Sequence, residues 1–167
     1  MIKKFNTLFV TMFGLGKIKF IPGTFGSFVT TIILYSLFNI FNYPPNIILI
    51  GLMIIFVYSF YAVSSYIKNY ENKDPREIII DEFLGQSIPI YLYEISHGTA
   101  KDGQQSIFYY VIFFILFRYF DIMKPFPVSF FDKNFKNSFG VIMDDICAGF
   151  YVVLTLVCFM VIKSYVL

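Results

Sequence analysis

No charged residue occurs between Lys19 and Lys68, and this long neutral stretch is broken in the middle by Asn42-Tyr43-Pro44-Pro45-Asn46. Each half is long enough for a helix of about 20 residues, the length that crosses the hydrocarbon of a bilayer. The pattern predicts a helical hairpin, its first arm running from Ser27 to Phe41 and its second from Ile47 to Ile67. Beyond Glu82 the apolar segments shorten: Phe83 to Tyr93 is interrupted by Pro89, and Ile107 to Phe117 ends at Arg118. Neither reaches span length without its flanks. Two short crossings and a re-entrant pair both fit, because broken helices are tolerated at membrane depth where protein encloses them. The last run, Ile146 to Ile162, reads as a final span with Lys163 able to reach the interface. The fold class expected is all-α: a polytopic membrane bundle of about four to five embedded helices, some short or re-entrant, forming one domain over residues 1–167.

Composition turns this pattern into a requirement. The chain is 57% hydrophobic and 14% charged, with a mean hydropathy of +0.70, whereas soluble domains carry about 25% charge. A domain of 167 residues leaves much of its surface exposed, so the apolar surplus must face lipid. A net charge of +2 offers no polyanion-binding face and excludes nucleic acid as a partner. Cys147 and Cys158 lie in one apolar run, and eleven helical residues would hold them about 16 Å apart, too far for a disulfide. They read as packing residues. His97, the single histidine, excludes sites built on histidine pairs. The 23 Phe and 13 Tyr with no Trp reflect a compositional bias.

Charge also orients the chain. Lys3, Lys4, Lys17 and Lys19 precede the hairpin, Lys68, Lys73 and Arg76 follow it, and Arg118, Lys124, Lys133 and Lys136 precede the last span. That places eleven of the 13 basic residues on one side, which the positive-inside rule assigns to the cytoplasm. Lys3-Lys4 ahead of Phe5 to Phe13 imitates a secretory signal, but the apolar stretch is short and Lys17 and Lys19 follow in place of a cleavage site, so the segment is expected in the mature protein.

Four polar groups stand where a membrane protein should avoid them. Gly14-Leu15-Gly16 and Ile21-Pro22-Gly23-Thr24-Phe25-Gly26-Ser27 mark a tight turn at a helix start. Thr24 or Ser27 can cap that helix, and its free backbone N–H groups suit a phosphate; a plain turn with a plain cap is the competing reading. Asp74-Pro75-Arg76-Glu77 leads to Asp81-Glu82, a carboxylate pair abutting apolar residues and costly to desolvate without a cation. Metal binding suits Asp81 and Glu82, while Glu71, Asp74 and Glu77 read as a solvated loop. Arg118, Asp121 and Lys124 recur at i, i+3 and i+6 and would share one helical face, able to hold a metal through Asp121 and a phosphate through Arg118 or Lys124, or else to form a boundary salt-bridge ladder. Asp144-Asp145, ahead of Ala148-Gly149, is explained either by metal binding or by the macrodipole of a helix starting there.

The topology brings all four groups to one end of the spans, where Asp81, Glu82, Asp121, Asp144 and Asp145 can converge. Hard carboxylate oxygens select a hard cation, and Mg²⁺ is the usual one where a phosphate completes the shell. The chemistry implied is phosphoryl chemistry at a membrane surface.

The Gly-Leu-Gly and Pro-Gly-Thr-Phe-Gly-Ser turn, the run from Asp74 to Glu82 with Gly85-Gln86, Phe117-Arg118-Tyr119-Phe120-Asp121 with Lys124-Pro125, and Gly140 with Asp144-Asp145 and Ala148-Gly149 resemble, in order, the blocks of the bacterial phosphatidylglycerophosphatase A family. One departure is Phe20-Ile21-Pro22, where that family often has a small residue or proline. The resemblance implies a multi-pass, magnesium-dependent phosphatase of the inner (cytoplasmic) membrane, active on its cytoplasmic side, that converts the phospholipid phosphatidylglycerophosphate to phosphatidylglycerol and phosphate. Combined with the residue reading, it casts Asp81, Glu82, Asp121, Asp144 and Asp145 as metal ligands, Asp81, Asp145 and Lys124 as catalytic residues, and Gly23, Thr24, Ser27, Arg118 and Lys124 as the phosphate site. Attack by water and attack by Asp81 or Asp145 through an aspartyl-phosphate both remain open. The rivals are a phosphatase of another lipid phosphate and a cation or proton transporter; the long spans carry no mid-span ionisable residue, and no internal repeat is evident. Nothing in the sequence sets an oligomeric state.

Overall fold

The computed structural model describes residues 2–68, 75–97 and 103–166, and every regular element among them is helical. In chain order these are α1 (Ile2–Val10), α2 (Pro22–Tyr35), α3 (Pro45–Ile67), α4 (Ile80–His97), α5 (Gly103–Met123), α6 (Val128–Asn134) and α7 (Ser138–Val166), with a 3-10 turn at Leu15–Lys17 and a π-helical turn at Ser36–Ile40 prolonging α2. Four segments are long and apolar enough to cross a membrane: Pro22–Ile40, Pro45–Ile67, Gln105–Met123 and Ser138–Tyr165. Their outer faces expose Ile54, Val57, Ile115 and Phe159, the lipid-facing surplus that composition demands.

The hairpin stands as expected, with its first arm starting earlier, at Pro22. The later helices outrun their apolar windows. Ile107 to Phe117 is the middle of a 21-residue helix, and α7 runs for 29 residues, beginning eight positions before Ile146. The flanks that lengthen these helices carry Arg118 and Asp121, which are partly buried, and Asp144 and Asp145, which are buried. Pro89 does not interrupt α4, which runs unbroken for 18 residues. Proline at this position removes the hydrogen bond that would return to the Gly85 carbonyl, and that carbonyl is where Gly149 of α7 comes closest. Neighbouring helices commonly compensate such a gap inside a bundle.

The interior divides into two clusters. One, at the end where α2, α4 and α7 begin, gathers Val10, Val63, Ile79, Leu84 and Ile142. The other fills the opposite half with Leu34, Ile90, Phe113, Phe117 and Val152. The segment before α4 is pinned to the first cluster by its buried isoleucines, and the Ile79 N–H donates to the Val10 carbonyl at 3.0 Å. This anchoring fixes where α4 starts and therefore where Asp81 and Glu82 stand.

Candidate active site

Asp81 and Glu82 open α4, while Asp145 lies in the second turn of α7. A carboxylate oxygen from each of the three falls within 4.8 Å of the others. Helix crossing brings this about. A Cβ added to Gly85 would strike the Asp145 carbonyl and the Phe117 ring, and one added to Gly149 would strike the Gly85 carbonyl. Two glycines thus let α4 and α7 approach backbone to backbone, as small residues do in membrane bundles. Because α7 starts at Ser138, Asp144 and Asp145 sit beyond its first turn, where the macrodipole explanation has faded.

Asp81 and Asp145 are both buried, and Glu82 is partly so, with its Oε2 fully enclosed and without a hydrogen-bond partner. Burial pushes the Glu82 carboxyl up to about 8; a hydrogen bond with Asp81 opposes the rise, and the nearby Asp145 and Asp121 charges add to it. Asp121 completes the group from α5: it is hydrogen-bonded to Asp145 and its Oδ2 lies 2.6 Å from Arg118 Nη1. The same guanidinium reaches Ser27 Oγ at 3.5 Å. Gly23 adjoins both groups, since a Cβ there would collide with Glu82 Oε1 and press on Arg118 Nη1.

Two local expectations are corrected. Neither Thr24 nor Ser27 caps α2: the helix begins at Pro22 behind Ile21, whose φ is 49°, with no side-chain cap, and Ser27 Oγ donates back to the Gly23 carbonyl at 2.9 Å. The first-turn N–H groups of Gly23 and Thr24 lack intrahelical acceptors, and Gly23 lies against Glu82 and Arg118. Lys124 does not share a helical face with Arg118 and Asp121. Helix α5 ends at Met123 and Lys124 takes a φ of 44°, turning its ammonium to Asp132 and Asp144, each at 2.8 Å. Burial works against that ammonium, but the two carboxylates outweigh it and hold its pKa above the usual lysine range.

The structure therefore brings together Asp81, Glu82, Asp121, Asp145, Arg118, Gly23 and Ser27, and gives Asp144 and Lys124 a flanking ion pair. Sequence reasoning missed Asp132, which follows Lys124 by eight residues on the separate helix α6 and carries no spacing signal. Glu77 is not simply solvated, as it accepts a hydrogen bond from the Tyr66 hydroxyl; Glu71, Lys73 and Asp74 lie outside the described residues. Also missed was Glu94, a buried carboxylate about 18 Å along α4 from Glu82, which accepts from the Tyr110 hydroxyl at 2.9 Å.

Residues 8–160, a range that contains every one of the site residues above, match the family model described as Phosphatidylglycerophosphatase A. The chain belongs to the phosphatidylglycerophosphatase A family. A Haemophilus influenzae protein named phosphatidylglycerophosphatase A is 34% identical over 145 residues, covering 85% of this chain and 80% of its own length. One of the same name from Escherichia coli is 27% identical over 144 residues, covering 82% of this chain and 73% of that protein. A Bacteroides thetaiotaomicron protein, provisionally named a phosphatidylinositol-3-phosphatase, is 33% identical over 144 residues, 84% of each chain. No solved structure matches. Phosphatidylglycerophosphatase A membership and four span-length apolar helices make the chain a membrane-embedded lipid phosphatase.

Proposed function

We propose that the chain hydrolyses the terminal phosphomonoester of phosphatidylglycerophosphate, releasing phosphate and phosphatidylglycerol, with Mg²⁺, on the cytoplasmic face of a bacterial inner membrane. The observation that carries this reading is the meeting of Asp81, Glu82 and Asp145 within 4.8 Å beside Arg118 and the open first turn of α2. Three hard oxygen donors, one of them the partnerless and enclosed Glu82 Oε2, suit a small hard cation. Asp81, Glu82 and Asp145 would hold Mg²⁺, with Asp121 adjoining. When bound, the ion supplies charge neutralisation at the phosphate and lowers the pKa of water.

The protein's own groups do the rest. The Gly23 and Thr24 N–H groups and Arg118 orient and neutralise the phosphate oxygens, Ser27 holds Arg118, and Lys124, braced between Asp132 and Asp144, adds positive charge at the rim. As the oxygen of a water molecule bonds to phosphorus, Asp81 or Asp145 accepts its proton, the bond from phosphorus to the glycerol oxygen breaks, and the departing glycerol oxygen takes up that proton from the carboxyl. The apolar helix faces carry the acyl tails; between α3, α4 and α7 a groove of about 420 Å³ is lined by Leu49, Met53, Leu84, Ile88 and Ile146.

The test is phosphate release by the purified chain from phosphatidylglycerophosphate, phosphatidic acid and phosphatidylinositol 3-phosphate, with Mg²⁺ and then with EDTA. The expected result is release from the first lipid, lost with the chelator. Preference for phosphatidylinositol 3-phosphate would move the substrate to the one in the Bacteroides relative's name, and release from none of the three would overturn the reading.

A further inference from the structure

Five buried side-chain polar atoms among the described residues have no hydrogen-bond partner: Asn6 Nδ2, Glu82 Oε2, Arg118 Nε, and both Nε2 and Oε1 of Gln86. Four of the five therefore belong to three residues, and two of those residues already stand in the site. Gln86 is the third. It is 0% exposed, and it follows Glu82 by four positions on α4, hence on the same helical face about 6 Å further along the axis. On α2 the parallel step runs from Gly23, which abuts Glu82 and Arg118, to Ser27, which is fully buried and in reach of Arg118. Gln86 and Ser27 thus each stand one helical turn beyond a residue of the site, on α4 and α2 respectively.

A carboxamide buried with neither its donor nor its acceptor satisfied costs stability that an apolar side chain of the same size would not. Nothing among the described residues repays that cost at Gln86, which leaves both ends of the amide open to a bound molecule. The chemistry of the set says what kind. Arg118 Nε is a charged donor suited to an anionic oxygen, and Glu82 Oε2 is an acceptor suited to a cation. Gln86 alone is neutral and offers both roles. Phosphate oxygens can take the Nε2 hydrogens, but a phosphate dianion has no proton for Oε1. That acceptor calls for a hydroxyl close to the phosphate.

We infer that Gln86 is a substrate-binding residue for a polyol phosphomonoester headgroup, Nε2 donating to a phosphate oxygen and Oε1 accepting from the free hydroxyl of the glycerol that bears the phosphate. This rests on the proposed function and adds the group that selects the headgroup. Sites built to hydrogen-bond a substrate hydroxyl discriminate strongly against analogues without it, because the buried partner is then stranded.

The test is a cycle of two enzymes and two lipids. Wild type, Gln86→Leu and Gln86→Met are assayed on phosphatidylglycerophosphate and on the analogue whose headgroup hydroxyl is replaced by hydrogen, with thermal unfolding in detergent recorded for each. For wild type the analogue should lower kcat/KM by about tenfold or more. For the variants the analogue should cost less than about twofold, their loss falling on the natural lipid, and they should unfold at the same or a higher temperature because the stranded amide is gone. A wild type indifferent to the missing hydroxyl overturns the inference whatever the variants do. So does a folded variant that keeps the wild-type preference, or one that loses both lipids equally, as a structural role or a trapped water would produce. Wild-type turnover of neither lipid is a separate result: it strikes the phosphatase reading and takes the inference with it.

Discussion

Asp121 shows how a single charge serves two neighbours. It pairs with Arg118 at 2.6 Å and is hydrogen-bonded to Asp145, so Asp121→Asn keeps the shape while removing the charge that aims the guanidinium. Turnover should fall by about a hundredfold or more with the unfolding temperature in detergent nearly unchanged; retained activity would remove Asp121 from the site. Glu82 gives a pH dependence. Its carboxyl is raised from 4.5 to about 8 in the metal-free fold, so between those values the folded chain holds a proton that the unfolded chain has lost. Stability of the metal-free protein should then decline as pH rises through that window. The proposed binding of Mg²⁺ would need the carboxylate and would release the proton. Titration calorimetry should show Mg²⁺ affinity weaker by about tenfold or more at pH 6.5 than at pH 8.5, with proton release at the lower pH; pH-independent affinity would exclude Glu82 as a ligand.

At the scale of elements, the crossing of α4 over α7 decides whether a site exists. Gly85 faces the Asp145 carbonyl and the Phe117 ring, and Gly149 faces the Gly85 carbonyl, so no side chain fits at either place without moving a helix. Gly85→Ala or Gly149→Ala should cost about 1–3 kcal/mol of stability from overpacking. Activity should fall further than the folded fraction does, because the shift separates Asp145 from Asp81. Comparing thermal melts with turnover per folded molecule checks this; activity that tracks folded protein alone would mean the crossing has slack. The end of α5 is set in a similar way, for the left-handed backbone at Lys124 directs its ammonium to α6 and α7 instead of along its own helix.

For the whole molecule, the arrangement of helices puts the starts of α2, α4 and α7 together with the end of α5, through the contacts of Gly23 with Glu82 and of Lys124 with Asp144. In the sequence, eleven of the 13 basic residues flank the spans on one side, and the proposed orientation makes that side cytoplasmic by the positive-inside rule. With Cys147 and Cys158 replaced, an impermeant thiol reagent should label Lys136→Cys from the cytoplasmic side and Asn42→Cys from the other; the reverse would invert the proposed orientation. Some of this was readable along the chain. Apolar runs, charge-free spans and the side bias of lysine and arginine are local properties, so the all-α membrane class, the hairpin and the end where the site lies follow from them. Asp81, Glu82, Asp121 and Asp145 were visible as carboxylates set against apolar sequence, a cost that shows without coordinates. Other features depend on what packs against what. Asp132 reaches Lys124 only because α5 ends in a left-handed turn, Pro89 sits inside an unbroken α4 where Gly149 of α7 lies against the Gly85 carbonyl, and Gln86 is marked only by its enclosure without a partner. Sequence pattern records which residues must leave water or lipid, whereas the partner each one finds, or lacks, is decided by long-range packing.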